Sequence, residues 1–324
     1  MTTTAQDAPA PGEAQVTAEF IDFLKRASAA RPRGSGGEVL RFNQGRPTGC
    51  VDAEFTVPQG LPEALRVGLF ATPRTYKAVI RFANATSATD RDRDTRGMTI
   101  GVFDAAPDNL TAGETRQDFV LNSHPVMPAA DPKEFLALLR ANEAGGVKRA
   151  LYFATHFKST RIALASRQHH SSHLDIHYWS TVPYSFGGGR AVKYMARPSL
   201  EHVSRLPDQV TDSYLRDALR AHLAQAEASF DLMVQFHVDE SRTPIEDATV
   251  EWTQERAPWQ AVARIRIPRQ SIDDAARSAR CEQMAFNPWH ARPEHRPLGG
   301  MNRARKEIYQ AMSEFRRAAG APGR

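Results

Sequence analysis

The spacing of apolar positions changes several times along the chain. Over 16–30, Phe20, Phe23 and Leu24 recur at helical spacing, which predicts an amphipathic helix. Residues 31–37 (RPRGSGG) have the small residues and proline of a flexible link. Over 50–57 the pattern alternates with a period of two. Residues 65–70, 77–82 and 98–103 are short apolar runs bounded by turn residues, so all four segments read as strands. Over 132–156 the period turns helical again, with Phe135, Leu136, Leu138 and Leu139. Further strands are predicted over 177–184, 191–196, 230–238 and 261–267, and further helices over 212–228 and 303–318. No internal repeat interrupts this order. It predicts one α+β domain over 38–324, an antiparallel β-barrel surrounded by helices. An N-terminal arm over 1–37 precedes it, partly disordered over 1–14 and with one helix.

Composition narrows the function classes. The chain has 324 residues, 41% hydrophobic and 24% charged, with a net charge of +5, as expected of a globular protein with a sizeable core. No run of five like charges occurs, so nucleic acid is not an expected partner. No stretch approaches the eighteen apolar residues of a membrane span, and the Thr-, Ala- and Pro-rich start lacks the features of a secretory signal. Cys50 and Cys281 are far apart and show no zinc-type spacing, which predicts two buried, reduced thiols in a cytoplasmic protein. His169, His170, His173 and His177 cluster, but no carboxylate or cysteine framework accompanies them, so a metal site is not expected there.

The candidate chemistry begins on the C-terminal helix. Arg305 and Tyr309 are four apart and share a helix face, and Arg316 follows seven beyond Tyr309. Flanking guanidiniums favour a phenolate, because a nearby positive charge lowers the pKa of an acid. A phenolate is a ligand suited to ferric haem.

Four stretches, in order, are similar to the catalase family, in particular to its short members without a long C-terminal extension. RFNQGRPTGCVDAEFTV over 41–57 resembles the strand with R-x-x-H and E-F-T-V. IRFA over 80–83 and DTRGM over 94–98 resemble V-R-F-S and D-x-R-G-F/M. DFVLNSHPV over 118–126 with DPKEF over 131–135 resembles D-L-V-x-N-N-x-P and its following D-P-x-x-F. EQMAFNP over 282–288 with RKEIY over 305–309 resembles E-x-L-A-F-D-P and R-x-x-x-Y. The resemblance covers about residues 38–317.

It implies haem b as cofactor, with Tyr309 as axial iron ligand and Arg305 keeping that ligand ionised. It implies Arg41, Arg81 and Arg316 as partners of the haem propionates, where bidentate, permanently charged guanidiniums suit carboxylates. Asn122 matches an asparagine that binds peroxide, and Phe135 a phenylalanine on the distal haem face. A homo-oligomer formed through residues 1–37 is allowed by the same analogy.

The departures bear on the reaction. Gln44 stands where the family has its catalytic histidine. An amide only hydrogen-bonds, whereas an imidazole moves protons near neutral pH. Ala83 replaces a serine that supports that histidine, and Met127 with Pro128 replaces a Phe-Phe pair. His124 is expected on the same strand face as Asn122 and is the candidate to replace the relay.

The expected activity is therefore a haem-dependent reaction on an organic hydroperoxide or related small molecule, with Gln44 and Asn122 orienting it. The alternatives are a hydrogen-peroxide-dependent peroxidase or peroxygenase using His124, a weak catalase, and a haem-binding protein without turnover.

Overall fold

The computed structural model describes residues 8–34, 37–199 and 203–320. Nine strands form one antiparallel sheet. β1 is Arg46–Val57, β2 Arg74–Asn84, β3 Arg96–Val102, β4 Gln117–Asn122 and β5 Tyr178–Trp179. β6 is Tyr184–Ser185, β7 Ala191–Pro198, β8 Ala228–Phe236 and β9 Trp259–Ile267. The order β5-β4-β3-β2-β1-β9-β8-β7 closes through a β5–β7 pairing into an eight-stranded barrel, and β6 adds to β7. Closure leaves no long hydrogen-bonding edge in the ring.

Alternation fills the barrel. Along β1, Val51, Ala53, Phe55 and Val57 point inward and are buried. Phe55 stacks on Phe119 of β4 at 5.9 Å, and Phe119 meets Tyr194 of β7 edge-on at 5.1 Å. The other face of β1 packs under helices, so Cys50 joins Val79 and Cys281 in a separate small cluster.

Seven helices surround the barrel among the described residues: α1 Glu13–Ala30, α2 Pro132–Ala144, α3 Gly146–Thr155, α4 Phe157–Ala165, α5 Tyr214–Gln225, α6 Ala275–Gln283 and α7 Gly300–Gly320. The stripe predicted on α1 is used as expected, with Phe20, Phe23, Leu24 and Ala27 packed on Leu136 of α2 and on Ala304 and Ile308 of α7. Arg303 of α7 fixes this contact by pairing with Glu13 at 2.8 Å. α2 starts at a cap visible in DPKEF: Asp131 accepts from the Glu134 N–H at 2.8 Å, with Pro132 in the first turn.

The structure departs from the expected elements at several places, among them the unpredicted α6. Residues 65–70 form two short 3₁₀ turns rather than a strand. Gly68 has φ 52° there, and a Cβ on it would lie 2.6 Å from the His295 ring. The strand expected over 177–184 is split into β5 and β6 by Thr181 at φ 62°. The helical stretch over 132–156 breaks at Gly145 and Gly146, with φ 62° and 48°, and α4 follows unpredicted. Residues 8–12 precede α1 without regular structure, and residues 1–7 of the predicted disordered start lie outside the described residues.

The two cysteines are not free thiols. Cys50 of β1 and Cys281 of α6 form a disulfide, because the helix brings their Cα atoms to 6.4 Å, inside bridging range. The expectation of a reduced, cytoplasmic protein rested partly on free thiols, and the disulfide removes that ground. No helix among the described residues is long and apolar enough to cross a membrane.

Candidate functional site

A cavity of about 1000 Å³ lies between the barrel wall and helices α1, α2, α3, α4 and α7. Its size is at the upper end of the ~300–1,000 Å³ typical of ligand and cofactor sites. All the candidate residues, Arg41, Gln44, Arg81, Asn122, His124, Phe135, Arg305, Tyr309 and Arg316, line it.

Helix α7 supplies one wall. The four-residue step stacks Arg305 below Tyr309. Arg305 Nη2 donates to Tyr309 Oη at 3.4 Å, and the guanidinium carbon lies 5.6 Å from the ring centre. Arg305 is itself anchored, donating to Asn302 Oδ1 at 3.3 Å. Asn302 is fixed by donating to the Pro183 carbonyl at 2.8 Å. Burial works to lower the Arg305 guanidinium, but attraction to Tyr309 and Tyr184 outweighs it and the net shift is upward. Tyr184, buried in the barrel end, is pushed up to about 12 by that burial despite Arg305. Arg305 thus keeps its charge directly beside Tyr309.

The charged end is built from four separated segments. Glu282, at the end of α6, pairs through one oxygen with Arg41 Nη1 and through the other with Arg81 Nε at 2.6 Å. Arg41 also donates to the Met284 carbonyl at 3.0 Å, and Arg81 Nη2 to the Gln44 carbonyl at 2.8 Å. Burial, with Arg81 alongside, draws the Arg41 guanidinium down to about 9, so it remains charged at neutral pH. Burial raises the Glu282 carboxyl, but Arg81 and Arg41 outweigh it and hold it below its usual range. Arg316 reaches this cluster from α7 and makes no hydrogen bond among the described residues. Three guanidiniums around one carboxylate leave this end with two positive charges not matched by the cluster itself.

A second group of lining residues carries neutral side chains. Gln44 takes a left-handed conformation at φ 56°, held by its N–H donating to the Ala85 carbonyl at 2.8 Å. Its Nε2 donates to Asn122 Oδ1 at 3.2 Å, so the two amides form a pair. The Gln44 amide lies against Gly97, where a Cβ would come within 2.4 Å of it. Gly97 is opposite Asn122 in the β3–β4 ladder, so one glycine makes room for the pair. His124 lines the same cavity, half-buried and without a hydrogen-bond partner among the described residues; burial lowers its pKa. Its position does not come from strand alternation, because β4 stops at Asn122 and His124 sits in the following turn. Phe135 lines the cavity from α2, edge-on to Phe20 at 5.8 Å. Ala83 is fully buried on β2.

The histidine cluster is structural at its centre. His173 is fully buried, 2.6 Å from Thr48 Oγ1 and 2.9 Å from Tyr178 Oη, and stacks on Phe82. No group of three or more His, Cys, Asp or Glu among the described residues is arranged to hold a metal ion.

The sequence reading missed the ion-pairing role of Glu282, although EQMAFNP marked the segment, and it missed the space left by Gly97. It also missed Lys193 of β7, which faces a second cavity of about 300 Å³ walled by Trp179, Trp252 and Trp259. Burial pulls that ammonium down to about 7. Nothing in the local pattern AVKYMA marks the lysine as enclosed.

The barrel and its flanking helices are those of a catalase-like fold. The chain is similar to a fungal catalase (TM-score 0.68, 17% identity, 92% of this chain and 62% of that one). It is similar to catalase A from Saccharomyces cerevisiae (0.69, 16%, 92% and 64%) and to a bacterial catalase (0.67, 15%, 98% and 63%). The chain thus spans less than two thirds of the length of these proteins. No protein-family model and no curated protein matches the sequence.

Proposed function

We propose that the large cavity would hold haem b, with Tyr309 as the residue that would bind its iron, and that the chain is a haem enzyme acting on an organic hydroperoxide or a related small molecule. The observation that carries this reading is the meeting, in one cavity, of an arginine-backed tyrosine and a cluster with two excess positive charges. That excess equals the charge of two propionates. The apolar walls, including Phe135, Val126, Met312 and Leu138, suit the faces of a macrocycle. The catalase-like fold supports the same reading.

Bound there, haem iron would supply O–O bond cleavage. Tyr309 would hold the iron, and Arg305 would favour its phenolate. Arg41, Arg81 and Arg316 would fix the propionates. On the distal side Gln44 and Asn122 would orient the substrate oxygens by hydrogen bonds, since neither amide exchanges protons near neutral pH. General acid–base help is worth ~10²–10⁴-fold, so disproportionation of hydrogen peroxide should be weak. A larger organic peroxide, whose cleavage or rearrangement needs no proton relay, is favoured. Purified protein should show a ferric tyrosinate spectrum at about one haem per chain and consume organic hydroperoxide in preference to hydrogen peroxide. Tyr309→Phe should abolish that spectrum, and an unchanged spectrum would overturn the axial assignment.

A second reading rests on His124. It lines the distal wall unpartnered, and burial keeps its imidazole neutral and able to accept a proton. In that case the protein is a hydrogen-peroxide-dependent peroxidase or peroxygenase, and His124→Asn would remove its turnover while leaving the haem spectrum intact.

A further inference from the structure

Helices α3 and α4 present an outer face that nothing in the fold covers. Their inner face is used: Tyr152 packs on Leu138 and Ala141 of α2, and Ile162 is buried. On the outer face Val147, Leu151, Phe157 and Leu164 are 83%, 63%, 77% and 70% exposed. Four of the eight large exposed hydrophobic residues among those described lie between Val147 and Leu164, so the exposure is concentrated rather than scattered.

The same segment is basic. Between Glu143 and Asp175 the sequence has Lys148, Arg149, Lys158, Arg161 and Arg167 and no acidic residue. All five cations are exposed. Lys158 reaches Asp247 of another segment at 3.4 Å, an exposed pair of small effect. Apolar side chains ringed by cations, on short helices lying along the surface, are the features of a helix that sinks into an anionic lipid interface. Arg149, Leu164 and Arg167 also line the large cavity, so this face runs into its mouth.

We infer that the α3–α4 face is a docking surface for an anionic lipid bilayer and sets the cavity mouth against the membrane. Charge decides the occupant. A second copy meeting this face across a two-fold axis would bring five cations against five, which is repulsive. Anionic headgroups match the cations, and acyl chains match Leu151 and Phe157. The inference does not depend on the haem assignment, because docking is read without turnover.

The test is co-sedimentation of the full chain with vesicles of phosphatidylcholine, with and without phosphatidylglycerol. Binding is expected to the anionic vesicles, with weakening at high salt as the cations are screened. Leu151→Ser with Phe157→Ser should reduce binding by well over tenfold through lost apolar burial. Lys148→Gln and Arg161→Gln should each weaken it about fivefold, the effect of one basic residue near an anionic surface. None of these four residues lines the cavity, so haem content and far-UV circular dichroism should stay unchanged and report folding separately. Failure to bind anionic vesicles, or binding unaltered in the variants, overturns the inference. So does a stable oligomer whose mass falls in the Leu151→Ser, Phe157→Ser variant while the parent ignores vesicles.

Discussion

Two groups of side chains in the large cavity differ in chemistry. In one, Arg41, Arg81 and Arg316 surround Glu282 while Arg305 backs Tyr309, charged side chains drawn from four separate segments. In the other, Gln44 and Asn122 hydrogen-bond each other as neutral amides, and burial lowers the pKa of His124. Burial acts in the same direction on other histidines. His170 is lowered to about 4 by burial, with Arg96 adding to it, and His173 is lowered by the same two causes. A site that only fixes a dianionic group needs charge at one end. A site that moves protons needs a titrating group as well, and position 44 carries an amide instead.

The largest expected effect comes from breaking that neutrality. Gln44→His should raise oxygen release from hydrogen peroxide by about 10²-fold in the haem-loaded protein. This is the low end of the ~10²–10⁴ range for acid–base catalysis, because Ala83 offers no hydroxyl to orient the ring. Histidine tolerates the left-handed conformation at this position better than most residues. An oxygen-electrode rate equal to that of the parent would mean that position 44 does not face the reacting oxygens.

Next in size is a disturbance of the charged group. Glu282→Gln leaves Arg41 and Arg81 adjacent without their shared carboxylate. Glu282 faces the cavity, so the loss of stability should be about 2 kcal/mol, less than the ~3–5 kcal/mol of a fully buried pair. Urea denaturation without haem measures it. Added haem should offset part of the loss if its propionates occupy this end.

The smallest effect is graded with pH. His170 has a folded pKa of about 4 against ~6.5 unfolded. Between these values the unfolded chain binds more protons, so the stability contribution is full above ~6.5 and is lost as the pH falls towards 4. Melting temperature should therefore decline over that window, and His170→Gln should make the decline shallower. An unchanged slope would show that other groups govern it.

The legibility of these regions followed their locality. The Arg305–Tyr309 stack could be read because four residues are one helical turn, and α2 because Phe135, Leu136, Leu138 and Leu139 recur at helical spacing. The ion pairs of Glu282 could not, because its partners are 241 and 201 residues away in sequence. The space opened by Gly97 for Gln44 joins β3 to a loop ahead of β1, and no spacing rule spans that distance. His124 lines the same cavity as Asn122, but not by strand alternation, since the strand it was assigned to ends two residues earlier.

The sequence by itself determined the period of most elements, hence a barrel with helices around it, and the residue types available for the cavity. Side-chain alternation and helical repeat act over a few residues and leave a direct trace in the chain. Tertiary structure alone decided that Cys50 meets Cys281, that one carboxylate is shared between two buried guanidiniums, and that α3 and α4 leave an apolar, basic face uncovered. Those outcomes depend on which distant segments share space once the barrel closes, and burial there sets both charge and partner.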